Sequence, residues 1–194
     1  MSRRVSEPGD ATTGLGVRFR PPTPRDGRAL WELAGAVGLD LNSPYAYVLW
    51  GDRFSASSIV AVADAGFAGA GTEGSGRDAG AGIVGFVAGF HPPDDPATIF
   101  VWQIGVAAPA RGSGIGGRML DELVSRTGAR WLEATVTPSN GASAALFRSV
   151  GTRHDTSVEE ELVYPADLFP DGHEPEVLFR IGPLDHDLSA TQGT

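Results

Sequence analysis

The chain has 194 residues, 41% of them hydrophobic and 20% charged, a composition that suits a soluble globular protein with one sizeable core. Its net charge is −9 and all 15 basic residues are arginine, so it lacks the basic stripe that nucleic-acid phosphates require. It has no cysteine, which excludes disulfides, thiolate metal sites and a cysteine nucleophile, and no apolar run long enough to cross a bilayer.

Residues 1–16 are polar and glycine-bearing, with no apolar stretch of the kind a signal peptide needs. They read as a disordered tail, and the cytoplasm is the expected compartment. VRFR, residues 17–20, reads as a short strand stopped by Pro21-Pro22. A helix should follow, with Thr23 as N-cap, Pro24 in its first turn, and Leu30, Leu33, Ala34 and Val37 on one face. Asn42-Ser43-Pro44 should open a second short helix. SSIVAVA (57–63) and IVGFVAGF (83–90) read as strands, joined by a glycine-rich, dispensable hairpin loop over 64–82. HPPDDPAT (91–98) is a turn, and IFVWQIGVAA (99–108) a third long strand. A helix (114–129), a strand (130–137), a helix that Gly151 can end, and a last strand (174–183) complete the pattern, with a loose tail from Leu184. The order β-α-α-β-β-β-α-β-α-β describes one α/β (α+β) domain over 17–183, a mixed sheet with helices on its faces.

The most informative stretch is IGVAAPARGSGIGGRML, residues 104–120, where a strand passes through an arginine and a knot of glycines into a helix. A helix start exposes unpaired N–H groups and partial positive charge, and glycines let the backbone approach a ligand closely. Arg111, Gly112, Ser113, Gly114, Ile115, Gly116 and Gly117 therefore have the parts of a pyrophosphate cradle; an ordinary glycine-rich loop is the plainer alternative. A P-loop is excluded because the chain has no lysine, and a dinucleotide fold would place its glycines after the first strand rather than after a run of hairpins.

RGSGIG fits the Arg/Gln-x-x-Gly-x-Gly/Ala pattern of the GNAT acyltransferases, and TPSNGASAALFRSVG resembles the helix that follows it in that superfamily. The agreement runs from about residue 17 to 182. Within the superfamily, LDLNSPYAYVLW, FVWQIGV, WLEATVTPSNGASAALF and HEPEVLFRIGP resemble the L-2,4-diaminobutyrate acetyltransferases of ectoine biosynthesis. The resemblance implies the GNAT fold, a mixed, mostly antiparallel central sheet flanked by helices. It implies acetyl-CoA as acyl donor, no metal, a homodimer, and transfer of acetyl to the 4-amino group of L-2,4-diaminobutyrate. It assigns the cofactor to the cradle and to Ile104, Gly105, Val106, Asn140, Ser143 and Phe147, with the 104–106 backbone meeting the thioester carbonyl.

A diamine needs carboxylates to hold it and a base to take a proton from an ammonium whose pKa lies near 10. The family-like candidates are Asp40, Asn42, Ser43 and Tyr45 in DLNSPY, and His173 and Glu176 in HEPE, with Glu176 preferred as base or amine anchor. Trp102 can form an apolar or cation–π wall, with plain core as the rival reading, and Gln103 should point to the opposite face. Glu133 is the second candidate carboxylate; its rival reading is a buried carboxylate paired with an arginine. Phe147 stands where the superfamily often places a tyrosine that protonates the leaving thiolate, so the usual general acid is missing. His91 and His154 have turn-like surroundings and take no role, and no cluster has metal-ligand spacing. Two rivals stay open: a GNAT enzyme for another amine, such as a polyamine or an aminoglycoside, and an inactive acyl-CoA-binding module.

Overall fold

The computed structural model describes residues 16–64, 82–170 and 172–184. The tail expected over most of 1–16, nearly all of the 64–82 loop, and the C-terminal tail beyond Leu184 lie outside the described residues. Among the described residues there are seven strands: β1 (Val17–Arg20), β2 (Ile59–Ala63), β3 (Ile83–Phe90), β4 (Thr98–Val106), β5 (Trp131–Val136), β6 (Ser157–Tyr164) and β7 (Glu176–Gly182). The same residues form the α-helices α1 (Gly27–Ala36), α2 (Pro44–Arg53), α3 (Ile115–Thr127) and α4 (Gly141–Arg153). The strands form one sheet in the order β1-β2-β3-β4-β5-β7-β6. Neighbours are antiparallel except β4 and β5, which run parallel with α3 as the crossover between them.

Helices cover both faces. Leu30 and Ala34 of α1 and Tyr47 of α2 pack on Val60, Val62, Phe86 and Ala88. On the other face α3 buries Ile115, Met119, Leu120, Leu123 and Val124, a single stripe at helical spacing, against Ile99, Val101 and Leu132. Phe147 and Val150 extend this core from α4. Thr23 is less a helix cap than the anchor of a 3-10 turn over Pro24–Asp26. Its N–H and hydroxyl both donate to the buried Asp26 carboxylate (2.7 and 2.9 Å), which Arg20 also grips with two bonds of 2.8 Å.

Three expectations change. Residues 157–164, SVEEELVY, form an edge strand that the sequence does not announce: the exposed Glu159, Glu160 and Glu161 show no apolar alternation, and the strand is defined by its pairing with β7, which is irregular only between Leu162 and Tyr164. Gly151 does not end α4; it is glycine because a Cβ there would meet Val158 Cγ2 at 2.3 Å, so β6 can lie directly on the helix. Leu184 is no loose tail residue: it is 2% exposed and its N–H donates to the Arg130 carbonyl at 2.7 Å.

Candidate active site

The sheet opens at its centre. β4 and β5 pair only from Thr98↔Trp131 to Val101↔Ala134, while β4 continues to Val106 alongside β3. The Ala107 N–H donates to Val84 on the β3 side (2.8 Å), so the period-2 alternation of a strand turns the N–H and C=O of Val106 into the gap. The Val106 carbonyl there accepts from Arg111 Nε at 3.1 Å.

Two cavities meet at this gap. The first, about 570 Å³, is lined by the 104–106 strand, Arg111, Gly112, the 114–117 run, Asn140 and Ser143. Gly112 (φ +77°) and Gly114 (φ +79°) hold the left-handed conformation that favours glycine, and both have open space where a side chain would stand. Gly114 is the N-cap of α3 and no side chain caps this end; the first helix-forming N–H is that of Arg118, donating to Gly114 at 3.1 Å. The amides of residues 115–117 therefore have no intrahelical acceptor, the arrangement that suits an anion. Ser113 does not line the cavity; its hydroxyl turns back to the Ala110 carbonyl at 2.6 Å.

The second cavity, about 760 Å³, lies on the other side of the gap and shares Leu39, Ile104, Asn140 and Ser143 with the first. Asn140 caps α4, accepting from the Ser143 N–H at 3.1 Å, so the start of α4 forms part of the wall between the two. Of the candidate substrate residues, Asp40, Asn42, Trp102, Glu133 and Glu176 line this cavity. Ser43 and Tyr45 do not; Tyr45 is 68% exposed on the first turn of α2. Nor does His173, whose ring stacks on Phe169, a lining residue, with centroids 4.1 Å apart. Phe147 lines this second cavity rather than the cofactor-side one and is buried against Phe179.

Glu176 opens β7 with its carboxyl held above the ordinary carboxylate range. Desolvation is the main cause and the nearby charges of Asp40 and Glu174 add to it; a hydrogen bond from Thr135 and the charge of His173 oppose it. Glu133 is committed elsewhere, bonded to Arg180 across the β5–β7 pair, while Arg180 also lies over the Trp131 ring at 4.5 Å. Glu133 thus has the arginine partner of its rival reading, yet it is half-buried and lines the cavity.

Gln103 corrects another expectation. Ala88 pairs with Gln103 and Gly89 with Val101, leaving Trp102 as the extra residue of a β-bulge. The bulge puts Trp102 and Gln103 on the same, α2-bearing face. Trp102 is 51% exposed beside Trp50 of α2, with ring centroids 6.2 Å apart, so it is a wall and not core. Gln103 is buried: it accepts from the Tyr47 hydroxyl (3.1 Å) and donates to the Asp40 carbonyl (2.8 Å). Sequence reasoning also missed Thr135, Tyr164 and Phe169 in the lining; the alternation of β5 could have pointed to Thr135, whereas β6 was not recognised.

Among the described residues no group of three or more His, Asp or Glu is placed to hold a metal, and no helix is long and apolar enough to cross a membrane. Residues 33–152, which contain both the glycine loop and α4, match the family model of the acetyltransferase (GNAT) family. The chain is 42% identical over 177 residues to an L-2,4-diaminobutyric acid acetyltransferase of Streptomyces avermitilis, covering 88% of this chain and 90% of that one. It is also 42% identical over 172 residues to one of Halalkalibacterium halodurans, covering 87% and 82%. Its backbone is similar to that of the diaminobutyrate acetyltransferase EctA from Paenibacillus lautus, solved in complex with its substrate L-2,4-diaminobutyric acid and coenzyme A. That match has a TM-score of 0.75 at 40% identity and covers 90% of this chain and 99% of the other. An open strand gap, a bare helix start and an acidic cavity thus coincide with the family's sequence pattern, and the chain belongs to the acetyltransferase (GNAT) family, on the branch of the L-2,4-diaminobutyric acid acetyltransferases.

Proposed function

We propose that this enzyme transfers the acetyl group of acetyl-CoA to the 4-amino group of L-2,4-diaminobutyrate, as a cytoplasmic homodimer acting in ectoine synthesis. The observation that carries this reading is the meeting of the two cavities at the β4–β5 gap. One offers bare amides and Arg111 to a pyrophosphate; the other offers Asp40 and Glu176 to a diammonium.

In this mechanism the pantetheine arm pairs with the open side of β4 like an added strand. The Val106 amide, which faces the gap, donates to the thioester carbonyl as its oxygen becomes negative. The 4-ammonium must lose a proton before it can attack, and Glu176 takes it. Burial makes Glu176 a stronger base than an exposed carboxylate. The amine nitrogen then bonds to the carbonyl carbon, the carbon–sulfur bond breaks, and the departing CoA thiolate takes the nitrogen's second proton, leaving a neutral amide and free thiol. Phe147 has no proton to give the thiolate and serves as packing. Asp40 holds the second ammonium, and Trp102 bounds the chain between the two amines.

The homodimer is supported by β6, an edge strand that exposes Leu162 (58%) and Tyr164 (47%), with Leu168 (64%) following it. The test of the function is release of free thiol from acetyl-CoA with L-2,4-diaminobutyrate, L-ornithine, putrescine and an aminoglycoside as acceptors. Preference for diaminobutyrate in kcat/KM is the expected result. Equal or better turnover of another amine would move the enzyme to a different substrate, and release with none would leave an acyl-CoA-binding module.

A further inference from the structure

In the HEPE segment the transfer uses Glu176, and His173 bears on it as a charge, but Glu174 lines neither cavity. Both of its carboxylate oxygens are instead spent on one residue. Oε1 accepts from the Ser139 hydroxyl, and Oε2 from the Ser139 N–H at 3.2 Å. Ser139 lies in the turn between β5 and α4, a turn closed by the Asn140 N–H donating to the Thr137 carbonyl at 3.0 Å. The next residue, Asn140, caps α4 and lines both cavities. A single carboxylate thus ties residues 172–175, which lead directly into Glu176, to the turn that supports the wall between the cavities.

The local chain is built to transmit a displacement there. Pro175, between Glu174 and Glu176, has a fixed φ and cannot absorb a rotation. Gly172, on the far side, has φ +91° with open space around it and is where the segment can bend. His173 is held from the same side by its stack on Phe169.

We propose that Glu174 is a positioning residue that couples the two cavities: filling the CoA cavity steadies the turn at 137–140, and the Glu174–Ser139 pair passes this to the 172–175 segment, setting Glu176 for the amine. The inference rests on the function proposed above. Coupling of this kind is reciprocal, so the diamine must raise the affinity for CoA by the same factor as CoA raises that for the diamine.

The test is calorimetric titration of the full chain with L-2,4-diaminobutyrate, alone and saturated with CoA. The wild-type chain should bind the diamine at least about fivefold more tightly with CoA present. Ser139→Ala removes the hydroxyl bond and leaves every charge in place; Glu174→Ala removes both bonds. Each should bring the ratio toward one, raise KM for the amine and lower kcat, because Glu176 is both anchor and base, and leave CoA affinity without amine within about twofold of wild type. Ser139→Thr, which keeps the hydroxyl, should restore the ratio. A wild-type ratio of one overturns the proposal. So does a Ser139→Ala ratio equal to that of wild type, even if Glu174→Ala weakens the diamine with and without CoA alike, since Glu174 would then act only as a charge. Thiol release by the wild-type chain is measured in parallel: its absence with diaminobutyrate refutes the underlying function, whereas turnover with an unchanged ratio refutes the coupling alone.

Discussion

Replacing Gln103 with leucine separates two jobs that one side chain performs. The amide fills the space between the buried Tyr47 hydroxyl and the Asp40 carbonyl, at 3.1 and 2.8 Å. Gln103→Leu leaves the Tyr47 hydroxyl with no acceptor at a residue only 1% exposed. An orphaned buried polar group costs about 1–3 kcal/mol. The Asp40 carbonyl belongs to an exposed residue and can turn to water, so it adds little. With about 2 kcal/mol lost, and about 2–4 °C per kcal/mol for a domain of this size, Tm should fall by about 4–8 °C. Adding Tyr47→Phe then removes the orphan. Replacing both partners by apolar groups is close to neutral, so the double variant should recover most of the stability lost by Gln103→Leu. It should not recover activity in parallel. The loop that carries Asp40 stays untethered in both variants, so KM for the diamine should stay several-fold high while CoA affinity is unchanged. Scanning calorimetry and steady-state kinetics on the four proteins of the cycle read both outcomes. A double variant less stable than either single would refute the paired-bond account, and a wild-type KM in Gln103→Leu would show that Asp40 does not depend on this tether.

Gly114→Val forces a β-branched residue into φ +79° at the N-cap of α3, where the left-handed conformation costs about 1–2 kcal/mol. CoA affinity by calorimetry should drop at least tenfold, about 1.4 kcal/mol, with the circular dichroism unchanged. Gly151→Ala drives a methyl group into Val158 and should cost about 1–3 kcal/mol, seen as a lower midpoint in urea; adding Val158→Ala should restore it. Glu176→Gln should lower kcat and raise KM for the amine, since the amide neither takes the proton nor holds the ammonium by charge, and the acid limb of the wild-type pH profile should lie above the ordinary carboxylate range and vanish in the variant. The sign for stability is opposite to that of a salt-bridged acid. A carboxyl raised in the folded state binds its proton more tightly there, so the wild-type chain loses stability as pH rises from the ordinary value through the raised one. Glu176→Gln should abolish that loss, and Tm measured across the acid range checks it.

Much of this architecture was legible in the chain because local signals agreed with one another. The strand–glycine–helix passage at 104–120 carries its own explanation, and the structure places its bare amides on a cavity wall. The stripe on α3 and the alternation of β5 were equally plain. What escaped depends on contacts distant in sequence. β6 has no periodicity to announce it, because β7 alone gives it a reason to be extended. Gly151 reads as a stop until Val158 is known to lie against it. The bulge at Trp102 reverses the face of Gln103, and nothing local in FVWQIGV marks the extra residue. In DLNSPY the proline does open α2, yet helical rotation leaves Ser43 and Tyr45 outside while burying Tyr47. The arginine partner of Glu133 was not legible either, because Arg180 lies on a strand 47 residues further along the chain.

In the proposed reaction the far amine of the substrate, not the one beside the carboxylate, reaches the thioester at the β4–β5 gap. The most direct measurement is proton NMR of the product made from L-2,4-diaminobutyrate and acetyl-CoA by the wild-type chain. Acetylation at N4 should move the methylene protons at C4 downfield and leave the proton at C2 near its place. An acetyl group on N2, or a mixture of the two products, would mean that Asp40 and Glu176 do not fix the diamine in the orientation argued here.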